Sequence, residues 1–210
     1  SYYIKDRSQS FSFLLADTIE NNGGKIIYNT RAERIVMENG RVSAVKLSDG
    51  TTLASRAVAC NCAAPRVFRE MLPRNSVPDS YMRKMEKFKP SISTFIVWLG
   101  LSEELRGKID GCGIFVQNGR DVEEEYRQCL AGDVENGPYT VTVYDNAYEG
   151  FSTPGCSTVM LLFQSGYGPW KRFESKYFRG DKQAYYQKKR RWTDILIQRA
   201  ERDLIPGLSN

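Results

Sequence analysis

The order of hydrophobic and polar positions predicts one helix followed by a small sheet in the first 65 residues. Apolar residues recur at helical spacing from about residue 8 to residue 22. The Gly23-Gly24 pair that follows predicts a left-handed cap, because glycine adopts positive φ without steric cost. The apolar positions of this helix are Phe11, Leu14, Leu15 and Ile19.

Short apolar runs after this helix predict a chain of strands. The runs are "KIIY", "AERIVME", "RVSAVKL" and "TTLASRAVAC". Asn39-Gly40 separates two of them and predicts a two-residue type I′ turn, and Asp49-Gly50 predicts a second turn. The end of the last run, "AVAC", is small and apolar enough to predict a strand buried on both sides.

The pattern changes after Pro65. Two short helices are predicted, in "RVFREML" and in "PDSYMRKMEKF", and a long helix is predicted from about Asp181 to Leu204. The run "SISTFIVWLGL" is apolar on both faces, which predicts an inner strand, and further strands are predicted at 113–116, 139–144 and 157–163. We therefore predict an α+β protein with a first segment over residues 1–65 and a mixed-sheet unit over residues 66–210.

The composition of the chain limits the classes of function that it can have. The chain has 210 residues, 41% of them hydrophobic, and a net charge of +5 from 30 basic and 25 acidic residues. This mild excess of positive charge does not indicate a nucleic-acid partner. Five cysteines, two of them the C-x-C pair Cys60 and Cys62, indicate reduced thiols and a cytoplasmic protein, with this pair as small strand residues. No apolar run predicts a transmembrane helix, and the absence of a starting Met suggests an excised piece.

The residues available for catalysis favour a cofactor. The chain contains no histidine, which removes the commonest general base and the commonest zinc ligand. No G-x-G-x-x-G pattern or phosphate-binding lysine loop is present, so the chain has no recognisable site of its own for a pyrophosphate. We expect no metal site, and we expect chemistry to depend on a bound cofactor.

Two segments together resemble a known family. They are "SQSFSFLLADTIENNGGKIIYNTRAERIVMENGRVSAVKLSDG" and "ASRAVACNCAAPRVF". Their order of helix, Gly-Gly stop, strand, "NGRV" turn and small apolar strand resembles the middle of FAD-dependent phytoene desaturases, carotenoid isomerases and retinol saturases. The likeness covers residues 8–68 and extends weakly through "FIVWLGL" to "LIPGL".

The resemblance implies a discontinuous architecture. In that family a glycine-rich segment lies near the N-terminus, a later segment completes the FAD domain, and a substrate domain follows. Residues 1–65 would then be the second segment of an FAD-binding domain, and residues 66–210 a substrate-binding domain. The resemblance also implies that this chain alone does not bind FAD tightly and is inactive by itself.

The resemblance assigns a few contacts to FAD. The family's V-x-x-I motif, whose first residue offers main-chain groups to the adenine end, falls on Ala32, Glu33, Arg34 and Ile35. The element that leads into the substrate domain ends at Asn61 and Pro65. A simple amphipathic strand and an ordinary turn residue are the alternatives for these two stretches. The family usually has Gly-Gly before Ser-Gln, whereas this chain has Asp6-Arg7, which leaves the reaction itself open.

Aromatic residues suggest contacts with a lipophilic substrate. Phe95, Trp98 and Phe163 could line an apolar pocket, or they could simply pack in the core. In "GPWKRFESKYFRGDK", aromatic and basic residues alternate, which suits peripheral contact with a membrane surface but also an ordinary loop. The aromatic residues of this stretch are Trp170, Phe173, Tyr177 and Phe178.

Two functional hypotheses follow. The first is an FAD-dependent oxidoreductase that acts on carbon–carbon bonds of a lipophilic, carotenoid- or retinoid-like substrate by hydride exchange with flavin, with a flavin-assisted isomerase as a variant. The second is a stand-alone, non-enzymatic α+β module that binds a hydrophobic ligand or a protein partner.

Overall fold

The computed structural model describes residues 3–4, 7–88, 91–119 and 121–209. Within this part of the chain, residues 7–88 belong to one compact unit and residues 91–209 to another. We call them the N-terminal unit and the C-terminal unit. The α+β class predicted from the sequence is confirmed, because helices accompany two separate antiparallel sheets.

The N-terminal unit contains the predicted helix and a three-stranded meander. Helix α1 ends before Gly23, which has the left-handed conformation (φ 79°) expected of its cap. Asn39 and Gly40 both have positive φ, 50° and 73°, as a type I′ turn requires. The elements are α1 (Arg7–Asn21), β1 (Ala32–Glu38), β2 (Arg41–Leu47) and β3 (Thr52–Ala54), with strand order β1-β2-β3.

Two helical segments complete the N-terminal unit. Helix α2 (Ala64–Arg66) continues into a π-helical turn over Val67–Met71, and α3 spans Asp79–Glu86. Val67 and Met71 pack against Ile35 of β1 in a small buried cluster. The helical residues after Pro65 therefore fold with the meander, and the compact units divide near residue 90. The assignment of cofactor and substrate domains to the chain stays a prediction.

One predicted strand and the end of another do not form. Residues 25–28, "KIIY", and residues 57–60, "AVAC", carry no strand structure, and most of their side chains are exposed. A strand needs a neighbour for its backbone hydrogen bonds, and none of the described residues pairs with either segment. The expectation that "AVAC" is buried on both sides is therefore wrong for this chain, and Cys60 and Cys62 are exposed.

The C-terminal unit is built on a four-stranded sheet. Every strand pair is antiparallel, so the sheet is antiparallel and not mixed. The strand order is β4-β7-β6-β5. These strands are β4 (Ser93–Leu101), β5 (Gly113–Val116), β6 (Tyr139–Val143) and β7 (Ser157–Ser165).

Strand β4 does not have the inner position that its two apolar faces predicted. Among the described residues it pairs with β7 alone, from Ser93 opposite Ser165 to Leu101 opposite Ser157. The large side chains on its second face, Ile96 and Trp98, are 40% and 57% exposed, so that face is not buried. The apolar side chains on that face need another explanation than burial in the middle of a sheet.

Helices pack on the sheet of the C-terminal unit. The long helix α7 (Gln183–Asp203) buries Trp192, Leu196 and Ala200 against the strands, as its apolar stripe predicted. Helix α4 (Val122–Ala131) contributes Cys129 to the same core. The short helices α5 (Gly168–Lys171) and α6 (Glu174–Phe178) precede α7. In the described part of the chain, no helix is both long and apolar enough to span a bilayer.

Candidate functional site

A β-bulge lies where the sequence predicted main-chain contacts with a cofactor. In the β1–β2 ladder Ala32 faces Leu47 and Arg34 faces Lys46, so Glu33 is the extra residue of a bulge. The extra residue of a bulge leaves the regular ladder of hydrogen bonds. The Glu33 side chain is also exposed. The main chain at Glu33 therefore lies outside the regular β1–β2 pairing, whereas Ala32 is paired with Leu47 and half-buried.

The other two predicted cofactor residues lie in or next to α2. Asn61 is in the irregular segment that precedes α2, and Pro65 is within the first turn of α2. Both side chains are exposed. The structure thus leaves Glu33, Asn61 and Pro65 exposed and Ala32 half-buried.

The uncovered face of the second sheet is the main apolar surface of the C-terminal unit. We call it the open face and define it by Trp98 together with one row of cross-strand partners. That row runs from β4 to β5 through Ile96, Leu162, Thr140 and Phe115. Trp98 is 57% exposed and Phe115 is 78% exposed. Exposed large apolar side chains on one face are typical of a binding surface.

Stacked aromatic rings hold Trp98 on the open face. Its indole stacks on Tyr144 with ring centroids 5.4 Å apart, and Tyr144 stacks on Phe151 at 4.7 Å. The Tyr144 hydroxyl also donates a hydrogen bond to Sδ of Met160, at 3.6 Å. Burial raises the pKa of Tyr144, so its hydroxyl stays protonated. The sequence analysis missed Tyr144 and Phe151, because their partner Trp98 is distant along the chain.

The other two aromatic residues predicted to meet substrate lie on the opposite face of the sheet. Phe95 and Phe163 are cross-strand partners of β4 and β7 and are buried. Phe95 packs against Trp170 and Trp192, with centroid distances of 5.9 Å and 5.4 Å. The three predicted residues therefore do not share one surface. Substrate contact stays a prediction, and Trp98 is the member that a ligand can reach directly.

A cavity of about 240 Å³ lies at one end of the open face. Phe115, Thr140 and Leu162 of the sheet form one side of it, and helix α4 forms another. The sequence analysis missed this helix, although its signals were present. Asp121 accepts hydrogen bonds from the N–H groups of Glu123 and Glu124 as an N-cap, and Gly132 (φ 71°) ends the helix.

The aromatic and basic stretch before α7 mostly packs against itself. Trp170, Phe173 and Tyr177 are half-buried, and each has its ring within 6.5 Å of the Tyr185 ring. Phe178 is the exception at 80% exposed. Phe178 is therefore the most exposed of these four rings.

The basic side chains of this region also pack on aromatic rings. Lys188 Nζ lies 5.2 Å from the Trp170 ring centroid and 4.8 Å from that of Trp192. Burial lowers the pKa of this lysine below its usual range. Lys188 is therefore part of the packing and does not simply extend into solvent.

Comparison with known proteins finds carotenoid-modifying enzymes. The chain is 32% identical over 142 residues to phytoene desaturase (lycopene-forming) of Pseudescherichia vulneris, which covers 67% of this chain and 28% of that protein. It is 20% identical over 196 residues to the chloroplastic prolycopene isomerase of Daucus carota, which covers 93% of this chain and 29% of that protein. The chain thus spans less than a third of the length of these curated relatives. No protein-family model matches it.

A solved structure has a similar fold. The crystal structure of an oxidoreductase from Methanosarcina mazei superimposes with a TM-score of 0.52 at 18% identity, over 79% of this chain and 35% of that one. At this identity the likeness concerns the fold. Together with the sequence relatives, it confirms the resemblance drawn from the helix, Gly-Gly and "NGRV" pattern.

Proposed function

Because this chain is a relative of the phytoene desaturases and prolycopene isomerases, we propose that it is a segment of an FAD-dependent oxidoreductase. The parent protein would act on carbon–carbon bonds of a lipophilic, carotenoid- or retinoid-like substrate. The observation that carries the proposal is the match of two thirds of the chain, at 32% identity, to a phytoene desaturase. When bound, FAD supplies the hydride acceptor or donor for such chemistry.

The N-terminal unit would contribute to the adenine end of the cofactor site. The bulge at Glu33 supports this role, because its main-chain groups lie outside the regular ladder. The residues of this chain fit such a main-chain contact, but they include no glycine loop for the pyrophosphate. The phosphate-binding part must then come from elsewhere in the parent protein.

The unpaired elements of the N-terminal unit also support an incomplete domain. The apolar positions of α1 are all exposed, and the two apolar segments "KIIY" and "AVAC" have no sheet partner among the described residues. Helices and strands with apolar faces are stable only when another layer covers them. A sheet supplied by the parent protein would cover them.

The C-terminal unit would hold the substrate on its open face. The long apolar chain of such a substrate needs apolar surface and few polar groups, and Ile96, Trp98 and Phe115 provide it. The stacked rings of Tyr144 and Phe151 restrict the Trp98 side chain, so little conformational entropy remains to be lost on binding. Peripheral contact with a membrane through Phe178 would help to take up such a substrate.

The experiment is to express the parent protein from its full reading frame and to measure its flavin absorbance. We expect a yellow protein. Ala32→Pro removes the main-chain N–H at the predicted adenine contact, and we expect it to lower FAD affinity by roughly 10-fold or more. Ala32→Val is the matched control, because it keeps the N–H, and it should retain the flavin.

Two results would contradict the proposal. A colourless parent protein that takes up no added FAD would favour the non-enzymatic binding module instead. Equal flavin content in the Ala32→Pro and Ala32→Val proteins, with unchanged circular dichroism, would exclude the main-chain contact. The 210-residue chain by itself should bind FAD only weakly in a titration.

A further inference from the structure

One oxygen of a buried carboxylate in helix α4 has no hydrogen-bond partner among the described residues. Glu125 is only 8% exposed, and its Oε1 accepts no hydrogen bond from any residue that the structure describes. A buried carboxylate oxygen without a hydrogen-bond donor costs free energy of folding. Its place in the first turn of α4 offsets part of this cost, since the helix dipole favours negative charge there. The remaining cost indicates that a donor is missing.

Glu125 lines the cavity of about 240 Å³ at the end of the open face. No lysine or arginine occurs among the described residues that line it, so these residues supply no counter-ion. Tyr139, which also lines the cavity, donates its hydroxyl to Asp203 Oδ2 at 2.9 Å. Burial and this hydrogen bond raise the pKa of Tyr139, so its hydroxyl stays protonated and committed to Asp203.

The carboxylate also affects its neighbour on the helix. The pKa of the Cys129 thiol is raised by its burial and, to a lesser extent, by Glu125. A charge effect between these two side chains is expected, because residues four apart lie on the same face of a helix. Cys129 is therefore a neutral thiol in the cavity wall, and no hydrogen bond joins it to Glu125 Oε1.

We propose that this cavity binds one end of an apolar ligand and that Glu125 accepts a hydrogen bond from a terminal hydroxyl or ammonium group of that ligand. The inference rests on the proposed function insofar as the ligand is the substrate. It deepens that function, because it requires a lipophilic molecule with a polar, hydrogen-donating end. A pure hydrocarbon would leave Glu125 unsatisfied.

The size of the cavity determines how much of the ligand it holds. A volume of about 240 Å³ equals roughly eight water molecules at about 30 Å³ each, which is enough for one end of a long molecule only. The rest of the ligand would lie along the open face. From Thr140 across Leu162 to Ile96 is two strand spacings, or about 10 Å, and Trp98 lies about 7 Å further along β4.

The test is isothermal titration of the full chain with three isoprenoid probes. Farnesol has a hydroxyl donor, farnesylamine has an ammonium donor, and farnesyl methyl ether has the same chain without a donor. We expect the ether to bind roughly 10-fold or more weakly than the alcohol or the amine. The better of the two donors identifies the end group.

Variants assign the effect to the carboxylate. Glu125→Leu should abolish the preference for a donor and leave the ether affinity unchanged. Glu125→Gln keeps an acceptor oxygen without the charge, so it should retain part of the alcohol affinity and lose the amine preference. Glu123→Gln is the control, because this glutamate is exposed on the same helix, and it should change nothing.

Several outcomes would overturn the inference. They are equal binding of ether, alcohol and amine by the unchanged chain, no binding of any probe, or the same loss in Glu123→Gln as in Glu125→Leu. Circular dichroism and thermal unfolding of each variant identify misfolding, and Glu125→Gln tests the inference if Glu125→Leu does not fold. A parent protein without flavin that still prefers farnesol would contradict only the proposed function, and a flavoprotein without this preference would contradict only the inference.

Discussion

At the scale of single residues, glycines with the same backbone conformation differ in their surroundings. Gly132, at the end of α4, has φ 71°, and a Cβ there would lie 2.7 Å from Pro169 Cγ and 2.9 Å from Trp192 Cη2. Gly150 has φ 79° and nothing within 4 Å of such a Cβ. Glycine is thus required at position 132 for two reasons. The backbone has a left-handed conformation, and α5 and α7 approach too closely to leave room for a side chain.

This difference predicts unequal effects of two alanine substitutions. Gly150→Ala should lower the free energy of unfolding by about 1–2 kcal/mol, from the left-handed conformation alone. Gly132→Ala should cost a further 1–3 kcal/mol or so, because Pro169 and Trp192 must move. Denaturant unfolding of the two variants measures both values. Equal losses of unfolding free energy in the two variants would show that the structure around the C-terminal end of α4 can relax to accommodate the added methyl group.

At the scale of elements, helix α4 shows how local signals define a helix that carries a functional group. Its N-cap, its acidic first turn and its terminal glycine are all local features of the sequence. They position Glu125 at the open face. The Glu125 carboxylate is buried because the strands of the sheet lie across the cavity from it.

Removal of the N-cap should loosen this helix. Asp121→Ala leaves the N–H groups of Glu123 and Glu124 without their acceptor, so we expect a loss of about 1 kcal/mol in unfolding free energy. Asp110→Ala, at an exposed loop residue, should have little effect. Chemical denaturation measures the loss, and amide exchange at residues 122–125 locates it. Unchanged exchange in Asp121→Ala would mean that other contacts hold the helix start.

At the scale of the whole molecule, the two units differ in how completely they are covered. The C-terminal unit has an extensive core that includes Val141, Leu161 and Leu196, each with no exposed surface. The N-terminal unit buries a small cluster around Ile35, and its helix α1 buries no residue. The N-terminal unit should therefore be the less stable of the two in this chain.

Amide hydrogen exchange tests this difference. Residues 25–30 and 56–63 should exchange almost without protection, because they have no ladder partner among the described residues. Residues of β6 and β7 should exchange slowest. In the parent protein we expect "KIIY" and "AVAC" to become protected by added strands. Strong protection of both segments in the 210-residue chain would contradict this account.

Much of the fold follows from local patterns in the sequence. The sequence predicted the capped helix α1, the Asn39-Gly40 hairpin and the apolar stripe of α7. It also predicted the strands β1, β2, β4, β5, β6 and β7. These predictions succeed because caps, turns and periodicity act over a few residues. The strand predicted at "KIIY" did not form, and of the strand predicted over "TTLASRAVAC" only Thr52–Ala54 formed. Their pattern describes a strand, but a strand requires a partner that the pattern cannot supply.

The sequence by itself determined the family resemblance, the α+β class and the alternation that puts Phe95 and Trp98 on opposite faces of β4. Only the tertiary structure decided which face α7 covers, and therefore that Phe95 lies in the core and Trp98 on the open face. It also decided that Glu125 faces a cavity without a partner. The physical reason is that burial depends on packing between elements distant along the chain, which local periodicity does not specify.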